Sequence, residues 1–165
     1  MTVRDVRIYP DPVLKQTASP VGRIDDDARA LASDLLDTMR AHEGCVGLAA
    51  NQIGSLRRCI VVDVSDHAKA RSRSGLIVLF DPRIVSSSGT EVGREGCLSL
   101  PDLTANVRRA TDVVVGGTTP DGVTRQIVAD AFEARALQHE IDHLDGILFL
   151  DRVASLKTDV FRRKR

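Results

Sequence analysis

The chain has 165 residues, which fits one domain large enough to bury its own core, and its apolar content of 42% is that of an ordinary folded protein. Twenty-three basic residues balance twenty-three acidic ones, which argues against a broad nucleic-acid-binding surface. No stretch is apolar for long enough to span a bilayer, and the opening MTVRDVRIYPDP lacks the apolar core of a signal peptide. Three cysteines, Cys45, Cys59 and Cys97, are an odd number at wide spacings and make a poor disulfide framework, so a reduced, cytoplasmic protein is expected.

In chain order, PDPVL reads as a turn into a short helix, with Pro12 suited to the first turn. From Asp25 to about His42, Ala28, Leu31, Leu35 and Met39 recur at helical spacing, and Asp25, Asp26 and Asp27 favour the positive end. CIVVDV (59–64) and LIVLF (76–80) read as buried strands. Between them SDHAKARSRSG is polar and reads as a loop free to move, in which His67, like the earlier His42, is expected to be solvated. Thr111 to Val128 reads as two strands joined at a Pro-Asp-Gly turn. A helix from about Ala131 to Asp145 follows, with Gly146 placed to end it. The order predicts an α+β fold, a single domain over residues 1–165 with a largely antiparallel sheet folded around the last helix.

That last helix carries the strongest signal. His139, Glu140 and His143 spell H-E-x-x-H, which puts two imidazoles one turn apart on one face, with a carboxylate beside the open position of a shared metal. A catalytic metal usually takes a third protein ligand. Downstream, the place of a third histidine holds Phe149, no glutamate follows Glu140, and Asp145 points off the ligand face. The search moves upstream to REGCLSLPD (94–102), where Cys97 could offer a thiolate. For an isolated cysteine, a small buried hydrophobe is the plainer reading.

Three separated motifs settle what the spacing leaves open. CVGLAANQ (45–52) is similar to the G-x-G-L-A-A-x-Q of peptide deformylases, while EGCLSLP (95–101) and QHEIDHLDG (138–146) match that family's other two motifs in full and in order. The resemblance extends from DPVLKQTASPV near the start to GILFLDR after the helix. It implies removal of the formyl group from the N-terminal formyl-methionine of newly made proteins, with release of formate. Cys97, His139 and His143 would hold the metal, natively Fe2+, with Zn2+, Ni2+ or Co2+ able to substitute. A metal-bound water would be the nucleophile and Glu140 the general acid and base, with the Gln52 side chain and the Leu98 N–H stabilising the oxyanion.

The same resemblance makes Val46, Gly47, Leu98 and Phe132 candidates for binding the extended substrate, although each could equally be ordinary core. Glu95 and Arg109 resemble a pair that braces the metal-bearing loop; the plainer alternative is two independent surface charges. For Gln52 the plainer alternative is a solvent-exposed amide, and Ser99 reads as structural. The sequence departs from the family at Cys45, in place of a glycine, and at Asp81, in place of an asparagine; packing and a local change are expected. FRRKR at the end reads as a solvated, disordered basic tail, with ribosome contact through it as a hypothesis and a monomer as the expected state. Two rival functions remain in view: a peptidase using the same motif on internal peptide bonds, and a protein whose metal is only structural.

Overall fold

Asp25 accepts a hydrogen bond from the Ala28 N–H at 2.8 Å and so caps helix α1, Asp26–Arg40, in this computed structural model, which describes residues 2–163. Eight strands and a second helix follow. They are β1 (Gly47–Ala49), β2 (Cys59–Val62), β3 (Ile77–Ser88), β4 (Glu91–Cys97), β5 (Leu100–Arg109), β6 (Asp112–Thr118), β7 (Thr124–Asp130), α2 (Ala131–Leu144) and β8 (Val160–Arg162). Pro12–Lys15 forms a short 3-10 turn capped by Asp11, in the place where a short helix was expected.

One antiparallel sheet has the order β1-β2-β3-β6-β7; a smaller one has β4-β5-β8. The five-stranded sheet is covered on both faces around β2, while β7 alternates buried and exposed residues. Ile60 and Val62 of β2 join Leu79, Val115, Leu137 and Ile141 under α2, while Cys59 and Val61 join Leu35, Met39 and Leu48 under α1. Alternate residues of one strand thus face two helices, which is why all of β2 is buried and reads as an unbroken apolar run. A third cluster, including Leu14, Cys97, Leu100, Val107, Leu148 and Phe149, packs behind the small sheet and seats the turn that carries Cys97. The α+β expectation holds, with α2 at the centre.

Several local expectations need correcting. The second strand stops at Val62 rather than 64, and β3 runs to Ser88 instead of ending at 80. Its far half is exposed, Ile84 and Val85 included, so it carries no buried apolar run and is held by pairing to β6 across two register shifts. Asp81 adopts φ 50 at the first of these shifts, and its carboxylate accepts from the backbone N–H groups of Val21 (2.8 Å) and Gly22 (3.0 Å). Aspartate, like the asparagine usual there, tolerates this left-handed conformation. The terminal FRRKR is not wholly a free tail. Phe161 and Arg162 belong to β8, the Arg163 N–H donates to the Asp102 carbonyl, and Arg94 lies 3.9 Å over the Phe161 ring. Residues 164–165 lie outside the described residues. The 65–75 loop, expected to move freely, is hydrogen-bonded to the start of α2.

Candidate active site

Helix α2 begins at Ala131 and projects His139 and His143 from one face, as the i, i+4 spacing requires. The β4–β5 connection brings Cys97 to them through a two-residue turn at Leu98 and Ser99. The ligand atoms of Cys97, His139 and His143 lie within 4.8 Å of one another, and Cys97 Sγ stands 3.3 Å from His143 Nε2. Sequence elements 46 residues apart therefore meet at one point.

Behind this triad lies a buried ionic network. His139 Nδ1 meets Glu95 Oε1 at 2.8 Å, while Arg109 donates to both oxygens of Glu95, at 2.8 and 2.9 Å. Arg109 also reaches Asp142 at 2.5 Å, Arg152 binds the same carboxylate through two nitrogens, and Arg135 donates to Glu95 at 2.8 Å. Glu95 and Arg109 are both buried, so the reading of two independent surface charges does not hold. Burial pushes the Glu95 carboxyl up, but hydrogen bonds from Arg109 and His139 outweigh it and hold it well below the usual carboxylate range.

Gln52 lies in a 3-10 turn, Ala50–Ile53, and is buried rather than a solvent-exposed amide. Its Oε1 accepts from the Ala49 N–H at 3.0 Å, which fixes the amide so that Nε2 points toward Cys97 Sγ (3.4 Å) and Ser99 Oγ (3.1 Å). Asn51 beside it donates to the His143 carbonyl and so ties this turn to the end of α2. Glu140 is buried with Oε1 unpartnered, and burial raises its carboxyl to about 7. A Cβ on Gly47 would stand 2.6 Å from Glu140 Oε2, so only glycine leaves that carboxylate its place. Burial, and then the neighbouring charge of His139, push His143 well below its ordinary value and keep its ring neutral, the form a metal ligand takes. For His139 burial works downward, but hydrogen bonds to Cys97 and Glu95 raise it on balance, and a proton held there is one a cation displaces.

Val46, Gly47, Gln52, Leu98, Phe132 and Glu140 line one cleft of about 350 Å3 together with Cys97 and His139. Every candidate residue read from the sequence thus falls in this cleft or directly behind it. Cys45 stands outside the ligand group; its Sγ donates to the Gly47 carbonyl at 3.3 Å, and burial pushes its thiol up to about 11. His42 binds the Thr38 carbonyl at 2.9 Å through Nδ1. Sequence reasoning missed Asp142, Arg135 and His67. The first two carried a usable signal, since Asp142 is three residues from His139 and Arg135 four, the spacings of neighbours on a helix. His67, in a polar loop, carried none.

A thiol and two imidazoles converging beside a buried carboxylate, on an H-E-x-x-H helix within an α+β fold, define a metal-dependent hydrolase. The sequence model of the polypeptide deformylase family matches residues 3–159. The chain is 44% identical over 164 residues to a peptide deformylase of Thermodesulfovibrio yellowstonii, covering 99% of this chain and 97% of that one. It is 45% identical over 165 residues to one from Desulfosudis oleivorans, covering 99% and 93%. Among solved structures, it superposes on the Ehrlichia chaffeensis peptide deformylase in complex with actinonin with a TM-score of 0.88 at 33% identity, covering 95% of this chain and 92% of that one. The Thermotoga maritima peptide deformylase gives 0.84 at 32% identity, covering 94% and 100%. The chain belongs to the polypeptide deformylase family, and it is an enzyme.

Proposed function

We infer that the chain hydrolyses the formyl amide of N-formyl-methionyl polypeptides, releasing formate and a free amino terminus. The observation that carries this reading is the buried Glu140 carboxylate, its Oε1 unpartnered, beside the three converging ligand atoms of Cys97, His139 and His143. The donor set fits a metal. One thiol and two imidazoles suit iron, zinc, cobalt and nickel, and the carboxylate of Glu95 behind His139 is the support that metal-ligating imidazoles commonly have. Cys97, His139 and His143 would hold a single ion, natively Fe2+, with Zn2+, Ni2+ or Co2+ able to substitute. Bound there, the ion supplies a Lewis acid that polarises the formyl carbonyl and lowers the pKa of a water.

The protein's own groups do the rest. Glu140 takes a proton from the attacking water and hands it to the methionyl nitrogen as the C–N bond breaks. A carboxyl raised to about 7 is matched to both tasks near neutral pH. Gln52 Nε2 and the Leu98 backbone N–H donate to the oxygen on which charge develops, and Gln52 is already oriented by its bond from Ala49. Val46, Gly47, Leu98 and Phe132 receive the substrate in extended form, the methionine side chain meeting the apolar members. Glu95 and Arg109 keep His139 in place.

We further propose that residues 1–165 act as one catalytic domain, monomeric and cytoplasmic, on nascent chains. No helix among the described residues is long and apolar enough to cross a membrane. The basic end of the sequence, which follows Phe161 as RRKR, would make a salt-sensitive contact with the ribosome, which co-sedimentation at rising salt tests.

The deciding experiment measures formate release from a formyl-Met tripeptide by protein prepared without oxygen and loaded with ferrous iron or nickel. Wild-type turnover, with Glu140→Ala slower by about 10²–10⁴-fold, supports the reading. A loaded, folded and silent wild type overturns it. Cleavage of unformylated peptides would favour a peptidase instead.

A further inference from the structure

The 65–75 loop is clasped onto the first turn of α2. Glu133 is fully buried, and its carboxylate accepts from Ser72 Oγ, the Ser74 N–H and Ser74 Oγ, each at 2.8 Å. Asp130 accepts from the Ser72 N–H at 2.9 Å and returns its own N–H to Ser72 Oγ at 2.9 Å. Releasing the loop would leave a buried carboxylate without those donors, so the clasp is costly to open. The loop is also braced from within. The Ala70 N–H donates to the His67 carbonyl at 3.1 Å, and Arg73 donates to the carbonyls of His67 and Ala70.

What the clasp positions is His67. Its ring lies flat on Phe132, with centroids 3.8 Å apart and planes 4° from parallel, and both rings line the cleft that holds Glu140. The Lys69 N–H donates to His67 Nδ1 at 3.2 Å, so the neutral ring carries its proton on Nε2. Phe132 is fixed from the other side. Ala131 before it adopts φ 47, a left-handed conformation held by its N–H to the Thr111 carbonyl at 3.0 Å. Two elements thus converge to stack one ring on the other at the wall of the cleft.

We propose that His67 is a specificity-determining residue, forming with Phe132 a two-ring wall against which the methionine side chain of the substrate packs. This rests on the deformylase reading given above. A thioether is polarizable and favours aromatic surfaces, and a wall made of two stacked rings reaches further along an unbranched side chain than Phe132 alone. The wall touches the side chain and not the reacting amide, so it contributes equally to ground and transition states. Its loss therefore appears in KM and not in kcat.

The test compares kcat and KM of wild type, His67→Ala and His67→Phe on formyl-Met, formyl-norleucine and formyl-Ala tripeptides, with thermal midpoints alongside. His67→Ala is expected to raise KM for the first two substrates about tenfold and leave kcat within about twofold, with the formyl-Ala values unchanged; about 1.4 kcal/mol corresponds to that factor. His67→Phe restores the preference, because it restores the stacked ring. Equal effects of His67→Ala on all three substrates, or an unchanged preference for methionine over alanine, overturn the wall. A wild type with no turnover of any formylated peptide overturns the underlying function itself, while normal turnover with unaltered selectivity overturns only the role of His67.

Discussion

Glu95 and His139 are joined by a hydrogen bond of 2.8 Å between Oε1 and Nδ1, linking strand β4 to helix α2. The bond fixes the imidazole so that Nε2 is the atom left for a ligand, and Arg109 and Arg135 in turn fix Glu95. Cys97 lies two residues beyond Glu95 on the same strand, so one strand supplies both a candidate ligand and the group that aims another. Positioning of the site is therefore shared between strand and helix, and a change at Glu95 disturbs both.

Glu95→Gln keeps the shape of the side chain but removes its charge. Partners of this kind are typically worth about 10–100-fold in metal affinity, and a loss in that range is expected. Competition against a chromophoric chelator measures it. An affinity within twofold of wild type would show that the 2.8 Å contact does not tune His139.

The same carboxylate makes stability depend on pH. Its folded pKa is depressed, so its contribution is fully present above the unfolded value of about 4.3 and is lost as pH falls from there toward the lower folded value. The wild-type protein should lose stability across that acid window more steeply than Glu95→Gln, while starting from the higher value near neutrality. Urea denaturation of both from pH 6 downward checks this, and parallel curves would contradict it.

Gly47→Ala tests the space beside Glu140. The added methyl would lie 2.6 Å from Oε2, so the carboxylate must swing aside. A displacement near 1 Å can cost about 100-fold in rate, and the fall should appear in kcat while the thermal midpoint barely moves. Full activity in this variant would mean that Glu140 need not stand where it does.

How much of this is legible in the sequence depends on where the chemistry is local. The spacing of His139 and His143 declares a helix and a shared face, and the apolar runs read at 59–64 and 76–80 declare a buried sheet. Cys97 has no local signature, because the turn at Leu98 and Ser99 brings it to α2 from another sheet; only the resemblance of EGCLSLP pointed to it. The second half of β3 and all of β8 are mostly exposed, their few apolar residues make no buried run, and their pairing comes from partners far along the chain. The clasp by Glu133 is likewise tertiary, since a polar loop and a buried glutamate look unremarkable until they meet. The Glu95–Arg109 pair shows the same limit, as two charges 14 residues apart gave no sign of their burial.

Cys45 provides the last prediction, because it stands where the family usually has glycine. Among the described residues other than glycine, only Asp81 and Ala131 have positive φ, so the backbone at Cys45 does not require glycine's freedom. Its thiol, pushed up to about 11 by burial and then by Glu140, stays protonated at neutral pH and donates to the Gly47 carbonyl instead of offering a thiolate. Cys45→Gly should therefore keep one ion per chain and deformylase activity within about threefold, the modest loss reflecting one weak hydrogen bond. Metal analysis with formate release decides it. Loss of the ion in Cys45→Gly, with Cys97 intact, would make Cys45 a fourth ligand and revive a closed, structural site.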